Sequence, residues 1–517
     1  MKKKIKTALK AVSSVAVLRT AYIVLSLAFQ LALIFLALWA LDSYFLYFYF
    51  ISSAFGLVLS LTIINNRSNP AYKITWIILI LFLPVFGTMI YLLFGSGHMS
   101  KRVRNNLQKA EDQVKRYLHQ ESDLIETVMS EHVDAARQMQ YLMGTVACPP
   151  YGDTSAEFLS PGEMKFECMK RELRKAEKFI FMEYFIISNG QMWDEILEIL
   201  KEKAKAGVEV RVMYDDFGSL LTLPNHYERF LAECGIKCCI FGELIPVLSA
   251  LLNHRDHRKI LVIDGKVGFT GGINISDEYI NVKVKHGHWK DSSIILRGAA
   301  VWSLTVFFLS TWGYVKNVDE DFLRYRVAYI PPDAAGGIAQ PYYDSPLDGE
   351  QVGENVYFNM VARAKRYVYI ETPYLILDNE MSVALCNAAK QGVDVRIAVP
   401  HIGDHWYVHA MTRSNYTRLT ESGVRIYEYT PGFIHAKVFV CDDELAVVGT
   451  INLDYRSLYL HFENAVLLYK MPMIADIMQD FHDIVAVSHE VTHRECLSTP
   501  WYRRMGRALI KVFAPLM

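Results

Sequence analysis

Two histidines carry the chemistry legible in this chain. His257 opens the stretch "HRKILVIDGKVGFTGGIN", where Lys259 follows on the same strand, Asp264 ends the apolar run and Asn274 closes a Gly-rich turn. Residues two apart on a strand share a face, so His257 and Lys259 set an imidazole beside an ammonium. A hydrophobic core avoids that pairing, whereas a site that receives an anion needs it.

The pattern returns as "HAKVFVCDDELAVVGTIN" at 435–452. His257 and His435, Lys259 and Lys437, Asp264 and Asp442, and Asn274 and Asn452 are all 178 positions apart. One such stretch is moderately specific; two in register imply duplicated halves whose motifs converge on one cleft. Two histidines, two lysines and two asparagines around a point supply donors suited to a phosphate. With an unperturbed pKa near 6.5, one imidazole can attack while neutral and its protonated partner can donate. That division of labour is covalent catalysis of phosphoryl transfer.

These side chains need rigid carriers. Ile260 to Ile263 reads as a core strand, and Asp264-Gly265 is a hairpin turn signal. Asp264 and Asp442 complete the motif, but at the strand's end their expected work is to hold the turn. "KFIFMEYFII" at 178–187 recurs as "RYVYIETPYL" at 366–375, carrying Glu183 and Glu371, each a lobe tether or a wall of the substrate pocket. Short β-rich runs alternating with helical stretches predict α/β layers. The expected organisation is a helical, solvated connector at 100–147, two pseudo-symmetric lobes at 148–330 and 331–490, and a basic amphipathic tail at 491–517.

Net charge is -1, with Lys+Arg 54 against Asp+Glu 55, so no global field draws the 517-residue chain to nucleic acid. The 52% hydrophobic composition is concentrated near the N-terminus, where Asp42, Arg67 and Lys73 are the only charges between Ala21 and Gly97. They separate apolar blocks at about 21–41, 43–65 and 74–95, each near the roughly 20 residues that cross a bilayer. Residues 1–99 are therefore expected to form two or three transmembrane helices; Pro84 is tolerable in such a helix, and a re-entrant block would change the parity of crossings. No small-residue cleavage site follows the first block, which argues against a signal peptide.

Six Lys/Arg in residues 1–20 favour a cytoplasmic N-terminus, and three crossings would then put the large domain outside. "KRVRNNLQKAEDQVKR" after the third block pulls the other way, as do eight scattered cysteines, which fit a reducing compartment. The balance leans to a cytoplasmic catalytic domain. Neither Cys238-Cys239 nor His254 with His257 makes a metal-ligand pattern, and no metal is expected. His286, His288, His401 and His405 have no partner in the repeat and at most line the cleft mouth. The tail "WYRRMGRALIKVFAPLM" suits either a membrane-surface helix or a packed terminal one.

The paired "HRKILVID" and "HAKVFVCD" resemble the duplicated His-Lys-Asp motifs of the phospholipase D superfamily. With "NPAYKITWIILILFLPVFGTMIYLLFG" and "GTINLDYRSLYLHFENAVLLY", the chain resembles the bacterial cardiolipin synthase family over nearly its whole length. The resemblance implies two phospholipase D-like α-β-α lobes behind transmembrane helices. It also implies that two phosphatidylglycerol molecules from the bilayer become cardiolipin and glycerol, without nucleotide, metal or other cofactor. His257 would be the nucleophile, forming a phosphatidyl-histidine, and His435 the acid and then the base, an order that near-symmetry leaves reversible. Lys259, Lys437, Asn274 and Asn452 would stabilise the non-bridging oxygens. Asp291 in "HWKDSS" and Glu463 in "HFENAV" would orient the histidines. A phospholipase D-type hydrolase or another transphosphatidylase uses the same residues; a nuclease fits the charge balance less well.

Overall fold

Two sheets of one topology make up the catalytic body in a computed structural model, which describes residues 45–95, 101–119, 123–244, 253–334 and 336–516, with scattered positions between 21 and 36. The first sheet runs Thr154–Leu159, Ser293–Gly298, Val267–Gly271, Lys259–Ile263, Phe179–Tyr184, Glu209–Asp215, Lys237–Phe241 in space. The second repeats that order as Ile338–Asp344, His461–Tyr469, Leu445–Gly449, Val438–Cys441, Tyr367–Glu371, Asp394–Pro400, Arg425–Tyr429, and adds Ser488–Val491 at the edge. Each motif strand lies mid-sheet and is buried along its length, which is why it reads as a continuous apolar run rather than an alternation.

The helix Val301–Lys316 joins the lobes. Every residue from Val301 to Gly313 is buried, as expected of a helix that is apolar all round. Phe308 stacks on Phe181 of the first sheet at 4.7 Å, and Phe307 meets Tyr343 of the second at 5.4 Å.

The connector is helical, as expected, but it is not merely solvated. Leu107, Ala110, Val114 and Leu118 recur at helical spacing and are buried, and Ser310 Oγ donates to the Ala110 carbonyl at 2.9 Å. This stripe packs the helix Lys101–Leu118 onto Val301–Lys316, and only its outer face carries the charge that dominates the sequence.

The membrane region is described in part. The block at 21–41 lies largely outside the described residues. Among the described residues one helix, Phe45–Asn65, contains a stretch long and apolar enough to cross a bilayer. The third block is broken at Pro84, whose missing N–H and ring end the helix Pro70–Phe82. A second arm, Pro84–Gly95, folds back on the first: the Trp76 and Tyr91 rings meet at 5.3 Å, and a Cβ on Gly95 would fall 2.7 Å from Trp76. At about 1.5 Å per residue each arm reaches roughly 20 Å, short of the roughly 30 Å hydrocarbon core. The hairpin starts on the catalytic body, since Asn69 Nδ2 donates to Tyr459 Oη at 2.7 Å and to Asp378 at 3.1 Å.

Asp264 and Asp442 sit at the turn ends of their strands, both at φ 54°. The Asp264 carboxylate accepts the backbone N–H groups of Glu177, Lys178 and Phe179 at 2.7–2.9 Å. Asp442 does the same for Lys365, Arg366 and Tyr367. Asp264→Ala would orphan three donors at a buried turn and is expected to destabilise the first lobe by roughly 2–3 kcal/mol. The check is a thermal melt of the detergent-solubilised protein, with activity per folded molecule preserved; an unchanged melt would contradict this role.

Candidate active site

Each catalytic-motif histidine is delivered by a short ribbon shared between the lobes. Arg255–Asp256 of the first lobe pairs in parallel with His461 and Phe462 of the second, and the His257 N–H donates to the Phe462 carbonyl at 2.9 Å. In mirror fashion, Gly432–Ile434 of the second lobe pairs in parallel with His288–Lys290 of the first, and the His435 N–H donates to the Lys290 carbonyl at 2.6 Å. The residue after each borrowed strand segment is a carboxylate: Glu463 after Phe462, Asp291 after Lys290. The orienting pairs therefore cross. His257 Nδ1 meets both Glu463 oxygens at 2.9 and 3.0 Å, and His435 Nδ1 meets Asp291 Oδ2 at 2.7 Å.

At His257, donation from Nδ1 to Glu463 fixes the tautomer and leaves the lone pair on Nε2; at His435, Lys437 Nζ shares Nδ1 with Asp291, at 2.9 Å. Burial pushes His257 down to about 3; Glu463 opposes this and Lys259 adds to it. Burial, then Lys437, lowers His435 to about 4 against the pull of Asp291. Burial and the two enclosed lysines thus work against charge on both imidazoles. Lys259 and Lys437 are themselves pulled down by burial, to about 7 and about 8, and their Nζ atoms rest on the carbonyls of His257 and His435. Lys259 is within electrostatic reach of both Lys437 and His435, so the two motifs meet in one place. Burial works against the charge of Glu463, yet His257, its hydrogen bonds and Lys259 hold that carboxyl well below the usual range. Ser457 Oγ donates to it at 2.8 Å, and Thr450 Oγ1 donates as well.

The asparagines occupy the walls. Asn274 accepts from the Ile186 N–H at 3.1 Å and donates to Tyr279 Oη at 2.8 Å, and the Tyr279 ring lies 5.5 Å from His435. Asn452 donates to Ser457 Oγ at 2.9 Å, while its Oδ1 is buried without a partner. Glu183 ion-pairs with Arg258 at 2.9 Å; Glu371 is buried with no hydrogen bond, in the field of Asp480 and Lys290.

Two neighbours escaped the sequence reading. His461 lies 5.5 Å from His257, accepts from Arg456 Nε at 3.4 Å and points Nδ1 at Glu463 from 3.7 Å. Trp289 lies 5.5 Å from His435. Both stand two residues before a carboxylate, in "HFE" and "WKD", a register that counting back from Glu463 and Asp291 would have exposed. His257, His461 and Glu463 hold possible metal-ligand atoms within 4.8 Å of one another, but these groups already bond to one another and to Arg456. His254 bonds the Leu460 carbonyl at 3.1 Å, His288 Tyr429 Oη at 2.9 Å, and His401 Glu428 at 2.9 Å. His405 pairs with Asp404 at 3.0 Å. His286 lies 6.4 Å from the Trp289 ring, at the edge of the His435 pocket.

Both histidines titrate below their unfolded value of about 6.5. Between the folded values of about 3 and about 4 and that unfolded value, the unfolded chain binds protons that the folded chain refuses. Stability contributed by the neutral rings is therefore present above the unfolded value and lost as pH falls through this window. The depressed Glu463 acts with the same sign in acid. The melting temperature should fall on acidification from pH 7 to pH 5 and fall less steeply in His435→Gln. A flat profile in the parent protein would contradict this electrostatic picture.

Known proteins place this geometry. A family model described as a cardiolipin synthase, phospholipase D-like domain matches residues 169–289 and again 357–485, once in each lobe. A phospholipase D-nuclease N-terminal model matches residues 54–96. A cardiolipin synthase of Halalkalibacterium halodurans is 31% identical over 90% of this chain and 94% of its own length. The major cardiolipin synthase ClsA of Bacillus subtilis is 31% identical over 88% of this chain and 96% of its own. Phosphatidylserine synthase of Haemophilus influenzae shares the fold, with a TM-score of 0.54 at 16% identity over 70% of this chain and 93% of that one. With the duplicated motif in both lobes and relatives aligned over about nine-tenths of its length, the chain belongs to the cardiolipin synthase family of phospholipase D-like phosphatidyltransferases.

Proposed function

We propose that the protein transfers the phosphatidyl group of one phosphatidylglycerol to a second, giving cardiolipin and glycerol through a phosphatidyl-histidine on His257. The observation that carries this reading is the pair of carboxylate-anchored imidazoles beside two buried lysines. A phosphodiester anion entering that cluster meets both lysines. It raises the proton affinity of His435, which the ligand-free site keeps low.

In the first half-reaction His257 Nε2 attacks phosphorus, the bond to the terminal glycerol oxygen breaks, and protonated His435 gives that oxygen its proton. In the second, His435 takes the proton from a glycerol hydroxyl of the second lipid. The oxygen then attacks phosphorus, the phosphorus–nitrogen bond breaks and His257 is restored. Lys259 and Lys437 stabilise the non-bridging oxygens at both transition states. Asn274, through Tyr279, and Asn452, through Ser457, brace the two pockets. Glu463 favours charge on His257 as the phosphorus–nitrogen bond forms.

The protein is membrane-associated through its apolar N-terminal region, and helix Phe45–Asn65 would cross while the hairpin at 70–95 re-enters from the catalytic side. This keeps the cleft at the lipid surface. Eight unpaired cysteines support the cytoplasmic face.

Purified protein incubated with phosphatidylglycerol alone should yield cardiolipin and glycerol in equal amounts, and His257→Ala should lower turnover by roughly 10³-fold or more while still sedimenting with membranes. Phosphatidic acid without cardiolipin would mark a hydrolase and overturn the transfer reading; full activity in His257→Ala would overturn the histidine mechanism.

A further inference from the structure

The C-terminal helix Trp501–Val512 turns its faces the opposite way from a terminal helix packed on a soluble body. Trp501, Met505 and Leu509 recur every fourth residue and, with Tyr502, form one stripe; they are 66%, 54%, 63% and 57% exposed respectively. Two of the helix's four basic residues, Arg507 and Lys511, meet the protein on the other side. Lys511 Nζ donates to Asn415 Oδ1 at 2.8 Å. Half-buried Arg507 lines a cavity of about 290 Å³ with Arg413, Glu428 and His401. Ile510 is the helix's apolar anchor there, packed near Met411, Ile376 and Tyr455. Were water the only neighbour, the stripe would face the lobe and the basic residues would face out. An exposed stripe of large apolar and aromatic residues marks a surface that something else covers.

The cover is identified by what the stripe adjoins. Thr75 Oγ1, on the first arm of the membrane hairpin, donates to the Val512 carbonyl at 2.6 Å, and the helix Pro70–Phe82 packs against the terminal helix. On that arm Ile74, Ile78, Leu81 and Phe82 are exposed, as lipid-facing residues are. The terminal helix also packs on Trp406–Ser414, whose leading Trp406 is exposed. Arg504 is exposed at the flank of the stripe, where a helix lying in the interface meets phosphate headgroups.

We infer that Trp501–Val512 is an in-plane membrane helix, its Trp501-Met505-Leu509 stripe set among the acyl chains of the leaflet that the 70–95 hairpin enters. This anchor bears on the cleft. Asp404, two residues before Trp406, accepts from Tyr374 Oη at 2.7 Å, and its charge reaches the phenol of Tyr279 beside His435. The Trp406 end of this membrane-facing surface thus lies within electrostatic reach of the His435 pocket. The inference concerns docking and stands apart from which reaction the histidines perform.

The test uses the full chain in nanodiscs made with phospholipids brominated on their acyl chains. Cys234, the one half-buried cysteine, is replaced by Ser, and an environment-sensitive fluorophore is attached at Leu509→Cys, at Met505→Cys or, as a control, at Lys175→Cys on the first lobe. Probes at 505 and 509 should shift to the blue and lose at least about half their emission to bromine, as acyl-chain residence requires, while the probe at 175 is unaffected. Probes at 505 and 509 that stay bright would overturn the inference. An unshifted bright probe would mean that the helix faces water, and a blue-shifted bright probe that a second protein surface covers it. Turnover is not part of the readout, so the result is independent of the proposed reaction.

Discussion

Every part of this structure answers to one constraint: each active-site histidine is held by a carboxylate that belongs to the other lobe. An imidazole buried without a partner for Nδ1 would lose both its tautomer and its aim. Here Glu463 and Asp291 supply that partner across the interface, and two short parallel ribbons bring the pairs into line. Neither lobe alone contains a complete histidine pair. Packing of the lobes is therefore a condition of this arrangement, and the helix Val301–Lys316, buried from Val301 to Gly313, packs on both sheets.

The same crossing explains the electrostatics. Ribbons drawn across an interface bury both histidines and both motif lysines. Burial lowers all four proton affinities, so the crossing works against positive charge on each of these groups. The two pockets are near-copies with different walls. His257 has a second imidazole, His461, and the hydroxyls on Glu463; His435 is boxed by Trp289, Tyr279 and Phe433. A duplicated fold has thereby given two histidines unlike surroundings, which suits unlike roles.

Much of this was legible in the sequence because it is local. The offset of 178 positions revealed the duplication, the apolar run before Asp264 revealed the hairpin, and the chemistry of the His-Lys pair followed from strand geometry. What stayed hidden depends on contacts between distant residues. His257 and Glu463 are 206 positions apart and His435 and Asp291 144 apart, so nothing in either half says that its carboxylate serves the other. Hydropathy found the apolar block at 74–95 but not its fold, because Pro84 and the close approach of Trp76 to Gly95 bend it back. The connector looked solvated because its charges outnumber the four residues that bury its inner face. The terminal helix reads as amphipathic either way; only its orientation on the lobe distinguishes a lipid-facing stripe from a packed one.

The crossed arrangement is tested most directly by a phosphatidyl donor with a p-nitrophenol leaving group, which departs without needing a proton from His435. Pre-steady-state release of nitrophenolate then reports attack by the nucleophile alone. With His257 as nucleophile and Glu463 as its anchor, Asp291→Asn should keep a full burst followed by slowed turnover, and Glu463→Gln should lose the burst. A burst that survives Glu463→Gln and disappears in Asp291→Asn would contradict the account.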